Sequence, residues 1–231
     1  MISIQNQIVL ITGASSGIGA ACAKIFARGG AKLILAARRI DKLDRLAKEL
    51  VETGLTASAN QIYLLELDVR DRPKVESAVN TLPEAWKAID ILINNAGLSR
   101  GLDKLHEGNF QDWEEMIDTN VKGLLYMTRY IVPGMVNRGR GHIVNIGSIA
   151  GRETYPKGNV YCASKAAVKA ISEGLKQDLL GTPVRVGLTP LTGDDVADVV
   201  YFCATRSPHV NISEILLVPT DQATATLVHR K

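Results

Sequence analysis

Tyr161 and Lys165 are the two residues of this sequence whose types and spacing best suit acid–base chemistry. They lie four positions apart in a stretch with helical periodicity, so both side chains project from one face of a helix, one turn apart. A phenol titrates at about pH 10, and a nearby positive charge stabilises its anion. The lysine would therefore allow the tyrosine to act as a general acid or base near neutral pH. The same spacing is common on ordinary amphipathic helices, so a packing role stays open at this point.

Ser148 adds a hydroxyl upstream of this pair. It follows an apolar run that ends at Ile146, and a hydroxyl at the end of a strand could hydrogen-bond a substrate oxygen and orient the reacting carbon. A serine in this position is also compatible with a purely structural role. We predict that Ser148, Tyr161 and Lys165 converge, with Ser148 and Tyr161 in contact with the substrate.

A glycine-rich turn near the N-terminus indicates a dinucleotide site. The turn follows an apolar run and opens a helical stretch. Its first glycine permits a tight turn, its second lets the backbone approach a pyrophosphate, and its third lets helix and strand pack closely. The helix N-terminus offers unpaired N–H groups to phosphate. A turn that merely needs glycine is the alternative. The predicted cofactor contacts here are Gly13, Ser15, Ser16, Gly17, Ile18 and Gly19.

The second apolar run ends in Arg38 and Arg39, about twenty residues after the glycine turn. A protein that binds NAD tends to place a carboxylate there for the ribose 2′-hydroxyl, whereas a 2′-phosphate calls for guanidinium groups. Asp41 comes later and has the position of a helix-start residue. We therefore predict NADP as the cofactor, with Arg38 and Arg39 binding its 2′-phosphate. The alternative is two solvated loop arginines.

Alternating strands and helices would position these residues. Short β-branched runs alternate with longer helical stretches, the pattern of βαβ units in a parallel sheet covered on both faces. Helices are predicted over residues 18–28, 41–53, 73–82, 110–137, 159–180 and 194–205. Seven strands are predicted over residues 8–11, 33–36, 62–65, 89–93, 143–146, 184–186 and 215–218. The sequence thus predicts one domain over residues 1–231, of α/β class, with a Rossmann-like, doubly wound, parallel seven-stranded sheet.

Taken in order, these motifs resemble the classical short-chain dehydrogenase/reductase family, and the matching positions extend from Thr12 to Lys165. The resemblance implies that Asn120 completes the catalytic set with Ser148, Tyr161 and Lys165. In the family this asparagine holds a helix distortion and a water that links the lysine to solvent. The resemblance also implies cofactor contacts after the third and fourth strands, with the aspartate bonding the adenine amino group. Those residues are Asp68, Val69, Asn95, Ala96 and Gly97, and the implied cofactor contacts include Tyr161 and Lys165.

The resemblance implies an NADP-dependent oxidoreductase that moves a hydride between nicotinamide and a small alcohol or carbonyl. Residues 147–165 look like the subgroup that oxidises serine and related 3-hydroxy acids. A carboxylate on the substrate would need a cation, and Arg152 is the candidate, although a solvated arginine explains it equally well. The alternatives are an NADPH-dependent reductase of acyl thioesters, diketones or sugars, an NADP-sensing binding protein, and a structural subunit with this fold. A homotetramer that pairs the helices near residues 110–137 and 159–180 is also implied.

Composition excludes several other classes of protein. The chain has 27 basic and 24 acidic residues and a net charge of +3, too small and too dispersed for a nucleic-acid or membrane-surface protein. The three cysteines are far apart and match no metal-ligand spacing, so we expect neither disulfides nor a bound metal. No apolar segment reaches the roughly 18 residues of a membrane span. We expect a soluble, cytoplasmic protein.

One departure from the family pattern follows Val186. A Pro-Gly turn and a mobile segment of about two dozen residues that covers the substrate normally come next, but here residues 187–190 follow at once. Either the molecule lacks this segment, or the sequence joins residues across a mobile stretch that has been left out. We favour the omission, because long functional loops are where disorder concentrates. An intact mass near 25.0 kDa would refute it.

Overall fold

A computed structural model describes residues 3–189 and 193–215 of the chain. Strands and helices alternate along it. The strands are β1 (Ile8–Thr12), β2 (Lys32–Ala37), β3 (Ile62–Glu66), β4 (Ile89–Asn94), β5 (Gly141–Ile146) and β6 (Val184–Thr189). The helices are α1 (Gly17–Arg28), α2 (Ile40–Glu52), α3 (Arg72–Asn80), α4 (Glu84–Lys87), α5 (Phe110–Ile117), α6 (Leu124–Asn137), α7 (Asn159–Asp178) and α8 (Gly193–Ala204).

The six strands form one parallel sheet in the order β3-β2-β1-β4-β5-β6. Strand order reverses between β1 and β4, so a crevice opens beyond their carboxyl ends, where such sheets bind ligands. This confirms the predicted α/β, doubly wound parallel sheet, with six strands in the described residues instead of seven. The seventh predicted strand, at residues 215–218, lies outside the described residues apart from Ile215.

Apolar side chains fill both faces of the sheet. On one face, the odd positions of β1 and β2, such as Val9 and Leu33, join one buried cluster with α1, α2 and α8. On the other, Leu10 and Ile34 join a second cluster with α3 and α6. Burial on both sides explains why the strands read as continuous apolar runs. No helix within the described ranges combines the length and apolar content needed to cross a bilayer.

The helix predicted over residues 110–137 is three consecutive segments. A π-helical segment at Asp118–Gly123 separates α5 from α6. Periodicity did not reveal it, because one wide turn shifts the apolar pattern only slightly, and π segments of this kind often mark functional sites. Helix α4 was also not predicted, since four residues are too few to show a period.

Strand β6 runs three residues beyond its predicted end at Val186. Gly187, Leu188 and Thr189 pair in register with Val144, Asn145 and Ile146 of β5. The junction that we placed directly after Val186 therefore falls inside a continuous, paired strand. Residues 190–192 separate β6 from α8. The omission of a segment stays a prediction.

Candidate active site

A cleft of about 480 Å³ opens at the carboxyl ends of the strands, at the point where strand order reverses. It brings together the predicted cofactor residues, except Gly19, and two of the predicted catalytic residues. Its lining includes Gly13, Ser15, Ser16, Gly17, Ile18, Arg38, Arg39, Asp68, Val69, Asn95, Ala96, Gly97, Thr119, Tyr161 and Lys165.

The glycine turn is tied to the loop after β4 through Thr12 and Asn95. The Asn95 side-chain amide donates to the carbonyl oxygens of Thr12 (2.8 Å) and Gly13 (3.2 Å), and the Asn95 backbone N–H donates to the Thr12 hydroxyl (3.0 Å). Gly13 has a φ of +64°, and a Cβ on Gly19 would lie 2.5 Å from the Gly13 carbonyl oxygen. Only glycine suits either position. Thr12 was predicted only as the first position of the motif, and the role of its hydroxyl was not predicted, although a threonine that ends an all-apolar strand is a visible signal.

The turn leads into an open helix N-terminus. Helix α1 begins at Gly17, and the side chain of its cap residue Ser16 makes no capping hydrogen bond. The first-turn N–H groups therefore face the cleft without a side-chain acceptor from Ser16, which suits a pyrophosphate. A Cβ on Gly17 would meet no atom within 4 Å, so the backbone there is open to close approach. These features fit a bound dinucleotide.

Arg38 and Arg39 line the cleft beyond the end of β2. Both are exposed, and within the described part of the chain neither guanidinium forms an ion pair with a carboxylate. Arg39 Nη2 lies 3.5 Å from the Ser15 hydroxyl, which places it beside the glycine turn. Two cations that form no ion pair within 4.0 Å among the described residues, next to the glycine turn, are suited to a phosphate.

Asp68 lines the cleft and binds Arg70. Arg70 donates from Nη2 (2.7 Å) and from Nε (3.0 Å) to the Asp68 carboxylate. Burial raises the pKa of Asp68, but the hydrogen bonds from Arg70 outweigh it and hold the pKa below its ordinary value. A charged Asp68 can accept from an amino group as well as from Arg70. Arg70 was missed, because an arginine two residues past a strand end carries no distinctive pattern.

Asn120 lies within the π-helical segment and is almost fully buried. Its Oδ1 accepts from the Leu98 backbone N–H (2.8 Å), and its Nδ2 donates to the Leu98 carbonyl oxygen (2.9 Å). A Cβ on Gly97 would lie 3.2 Å from Asn120 Oδ1 and 3.6 Å from Lys165 Nζ. The asparagine thus holds the loop after β4 against the wide helical turn, close to the lysine ammonium.

Lys165 is buried on α7, and its Nζ donates to the Ile146 carbonyl oxygen (3.0 Å). The Nζ is 6.0 Å from the centroid of the Tyr161 ring. Burial lowers the pKa of Lys165 to about 8, so the side chain is still mostly an ammonium at neutral pH. A cation in a poorly solvated position beside a phenol stabilises the phenolate, and the pair can therefore transfer a proton.

Ser148 and Arg152 are not among the residues that line this cleft in the described structure. The Ser148 hydroxyl oxygen accepts from the Ala150 N–H (3.1 Å) and caps a short 3₁₀ turn at Ile149–Gly151. The Arg152 guanidinium pairs with Glu214 through Nη2 (2.6 Å). Its predicted role as a cation for substrate therefore competes with an ion pair that the sequence did not indicate.

Comparison with known proteins is consistent with this geometry. The family model for short chain dehydrogenases matches residues 7–192. An NADP-dependent 3-hydroxy acid dehydrogenase, YdfG of Salmonella typhi, is 44% identical over 97% of this chain and 100% of that protein. That alignment spans 255 positions, whereas this chain has 231 residues, so the relative contains residues without a counterpart here.

Two solved structures give the same result. The crystal structure of serine dehydrogenase from Escherichia coli is 44% identical and covers 94% of this chain and 100% of that one, with a TM-score of 0.88. The closed form of serine dehydrogenase complexed with NADP+ is 40% identical and covers 97% of this chain and 100% of that one, also with a TM-score of 0.88. The resemblance stated from the motifs is confirmed, and the chain belongs to the short-chain dehydrogenase/reductase family.

Proposed function

We propose that this protein is an NADP-dependent oxidoreductase that interconverts a small 3-hydroxy acid, such as serine, and the corresponding carbonyl compound. The observation that carries the proposal is that Tyr161 and the buried Lys165 ammonium share one cleft with the glycine turn. Oxidoreductase activity on CH–OH groups and NADP as cofactor agree with the names of the similar proteins. The choice of a 3-hydroxy acid is a proposal.

The chain's own residues would divide the binding of NADP between two sets. The open N-terminus of α1 would hold the pyrophosphate, and Arg38 and Arg39 would hold the 2′-phosphate. Asp68 would accept from the adenine amino group. When bound, the nicotinamide supplies the hydride acceptor or donor.

The remaining chemistry is proton transfer and orientation. In oxidation, the Tyr161 phenolate would take the proton from the substrate hydroxyl, and in reduction the phenol would return it. The Lys165 ammonium would stabilise the phenolate, and the Ile146 carbonyl oxygen fixes that ammonium in place. Ser148 would donate to the substrate oxygen while accepting from Ala150, since a hydroxyl has one donor and two acceptor sites. Asn120 would hold a water that reconnects Lys165 to solvent.

Arg152 remains our candidate for the substrate carboxylate. A carboxylate there would have to share the guanidinium with Glu214, and an arginine with five N–H donors can serve two carboxylates. If activity is found with an acyl thioester, diketone or sugar and not with 3-hydroxy acids, the reductase alternative replaces this substrate class.

The architecture suggests two further features. We propose that residues 1–231 form one catalytic domain in the cytoplasm, and that the protein is a homotetramer. Phe110 at the start of α5 is 74% exposed, and Leu125 on α6 is 42% exposed. Apolar side chains left open on helices that are expected to pair favour burial between subunits.

The decisive test replaces the proposed acid–base group. We expect Tyr161→Phe to bind NADPH as tightly as the wild type, because no cofactor charge contact is lost, and to lose at least about a thousandfold in kcat. Nicotinamide absorbance with serine and other 3-hydroxy acids measures turnover, and protein fluorescence quenching measures binding. Tyr130→Phe is the matched control, since Tyr130 is half-buried on α6 and its hydroxyl bonds only Glu76 in the described structure. A near-normal kcat for Tyr161→Phe would refute the proposed mechanism.

The cofactor assignment has its own test. We expect Arg38→Asp combined with Arg39→Ala to lower the ratio of kcat/KM for NADP over NAD by roughly a hundredfold, because two guanidinium contacts to the 2′-phosphate are lost. Arg45→Ala is the control, as Arg45 is an exposed arginine on α2 that pairs with Asp41. An unchanged cofactor ratio would exclude these arginines as phosphate ligands.

A further inference from the structure

Helix α7 carries two buried serines with the same hydrogen-bond pattern. The Ser164 hydroxyl donates to the Tyr161 carbonyl oxygen (2.7 Å) and accepts from Asn120 Nδ2 (3.0 Å). The Ser172 hydroxyl donates to the Val168 carbonyl oxygen (2.7 Å) and accepts from Asn145 Nδ2 (2.8 Å). Each serine thus links an asparagine on a neighbouring element to the preceding turn of α7. The two differ in what their asparagines hold.

Ser172 belongs to a network beneath the site. Asn145, its partner, accepts at Oδ1 from Asn94 Nδ2 (2.9 Å), and Asn94 also donates to the Thr128 hydroxyl (3.3 Å). These residues join β4, β5, α6 and α7 inside the fold, and none of them lines the cleft in the described structure. This network is structural.

Ser164 is fully buried and reaches the site through both of its hydrogen bonds. The direction of every bond in its network is fixed. Asn120 Oδ1 accepts from the Leu98 N–H, so the asparagine amide must turn its Nδ2 toward the Leu98 carbonyl and Ser164. Ser164 uses its single proton on the Tyr161 carbonyl, so it can only accept from Asn120. The Leu98 backbone therefore sets the orientation of the asparagine amide, and the Ser164 hydroxyl adds a third hydrogen bond that stabilises it.

We propose that Ser164 is a positioning residue that couples the π-helical segment to the acid–base tyrosine. Its hydroxyl holds the backbone of Tyr161 at a set distance from Asn120, and Asn120 holds the loop at Leu98. Gly97 in that loop lies beside both Asn120 and Lys165 Nζ. The proposal rests on the proposed function only in assigning Tyr161 the proton transfer. The coupling of the three segments is a property of the fold.

Removal of the hydroxyl would weaken the hold on the asparagine amide, which would keep only its two hydrogen bonds to Leu98. In Ser164→Ala, one Nδ2 hydrogen of Asn120 is left buried without its acceptor, and this cost favours rotation of the amide. Rotation would disturb Leu98, and the Tyr161 turn would lose its link to the π segment. Small misplacements of acid–base groups cost up to about a hundredfold in rate. We expect kcat to fall by roughly 10- to 100-fold with the KM for NADP unchanged, because Ser164 touches no predicted cofactor contact except the Tyr161 backbone.

The experiment compares Ser164→Ala, Ser164→Thr and Ser172→Ala. We expect Ser164→Thr, which keeps the hydroxyl, to restore kcat to within a few-fold of the wild type. Ser172→Ala removes two hydrogen bonds of the same kind, to Val168 and from Asn145, so it should lower the melting temperature by a similar amount while kcat stays within about twofold. Equal losses of kcat in the two alanine variants, or a near-normal kcat in Ser164→Ala, would overturn the proposal. Ser164→Cys, which is nearly isosteric, takes the place of the alanine variant if that one does not fold.

Amide hydrogen exchange gives a readout that needs no turnover. We expect the Leu98 N–H to exchange at least about tenfold faster in Ser164→Ala than in the wild type, and at the wild-type rate in Ser172→Ala. Unchanged protection of Leu98 in Ser164→Ala would refute the coupling whatever the reaction is. If instead the wild-type protein turns over no substrate with NADPH or NADP while Leu98 responds as expected, the proposed function fails and the coupling stands.

Discussion

Lys165 and His142 are both buried bases, but the structure gives them opposite surroundings. Lys165 lines the cleft at the carboxyl edge of the sheet, and its Nζ has the Ile146 carbonyl oxygen as acceptor. His142 lies in β5, only 2% exposed, and within the described structure neither of its ring nitrogens has a hydrogen-bond partner. Burial lowers the pKa of Lys165 to about 8 and that of His142 to about 3. A shifted pKa therefore indicates function only when the group also reaches a cleft and other reactive groups.

Burial is the main cause of the low pKa of His142, and the positive charge of its neighbour Arg185 lowers the pKa further. Arg185 pairs with His142 in register on β6 and donates from its guanidinium to carbonyl oxygens at and beyond the end of α8. Those acceptors belong to Cys203, Ala204, Arg206 and Val210. This arginine caps the helix end, and its guanidinium has no acceptor atom to offer a protonated histidine. Next to a partly buried guanidinium, a second positive charge would be costly, so His142 is a neutral core residue.

Of the two buried bases, Lys165 and His142, replacement of Lys165 should have the larger effect on activity. We expect Lys165→Met to lower kcat/KM by roughly a hundredfold to ten-thousandfold, because the phenolate loses its cation. The free energy of unfolding at pH 7 should not fall, because an uncharged side chain of similar length needs no desolvation. Steady-state kinetics and urea unfolding measure the two quantities on the same samples.

The pH dependence of the unfolding free energy separates the effect of Lys165 on stability from its effect on catalysis. Its folded pKa of about 8 lies below the ordinary 10.5, so between these values this lysine binds more protons in the unfolded chain, and its own contribution to wild-type stability rises with pH. Lys165→Met should lack that rise. Lys169→Met is the control, because Lys169 lies one turn further along α7 and pairs with Glu173. If Lys165→Met kept normal kcat/KM, or if both variants lost activity equally, Lys165 would not be the functional member.

The contrast also shows what the sequence could reveal about the site. The glycine turn, the arginines after β2 and the Tyr161–Lys165 pair each follow a strand or share a helix face. The parallel fold brings such positions together, and their co-location in one cleft could be predicted. His142 looks like any polar residue in an apolar run, and nothing in its sequence neighbours indicates that Arg185, forty-three positions away, lies beside it. Long-range partners of this kind depend on strand register, which the sequence pattern does not specify.

The same limit applies to residues whose role is set by a single contact. Arg70, Glu214 and Ser164 each bind a predicted site residue or its backbone. None stands out by type or spacing, because arginine, glutamate and serine are common in loops and helices. The π segment around Asn120 came from family resemblance, since hydrophobic periodicity predicted one uninterrupted helix there. Elements and their order could thus be predicted from periodicity, whereas hydrogen-bond partners required coordinates.

Replacement of His142, the structural member of the pair with Lys165, should affect stability and leave activity unchanged. The folded pKa of His142 is about 3, below the ordinary 6.5. Between these values the unfolded chain takes up a proton at this histidine and the folded protein does not. The contribution of His142 to stability is therefore complete above about pH 6.5 and is lost as the pH falls, by about 1.4 kcal/mol per pH unit.

We expect the plot of unfolding free energy against pH, measured by urea unfolding from pH 7 to 5, to be flatter by this slope for His142→Leu than for the wild type. The contributions of His106, His209 and the carboxylates are common to both proteins and cancel in this difference. At pH 7 the variant should be at least as stable, since two unpaired nitrogens are replaced by apolar atoms, and its kcat should match the wild type. Parallel stability curves would mean that His142 is protonated inside the fold, and a loss of kcat would place it in the same functional class as Lys165.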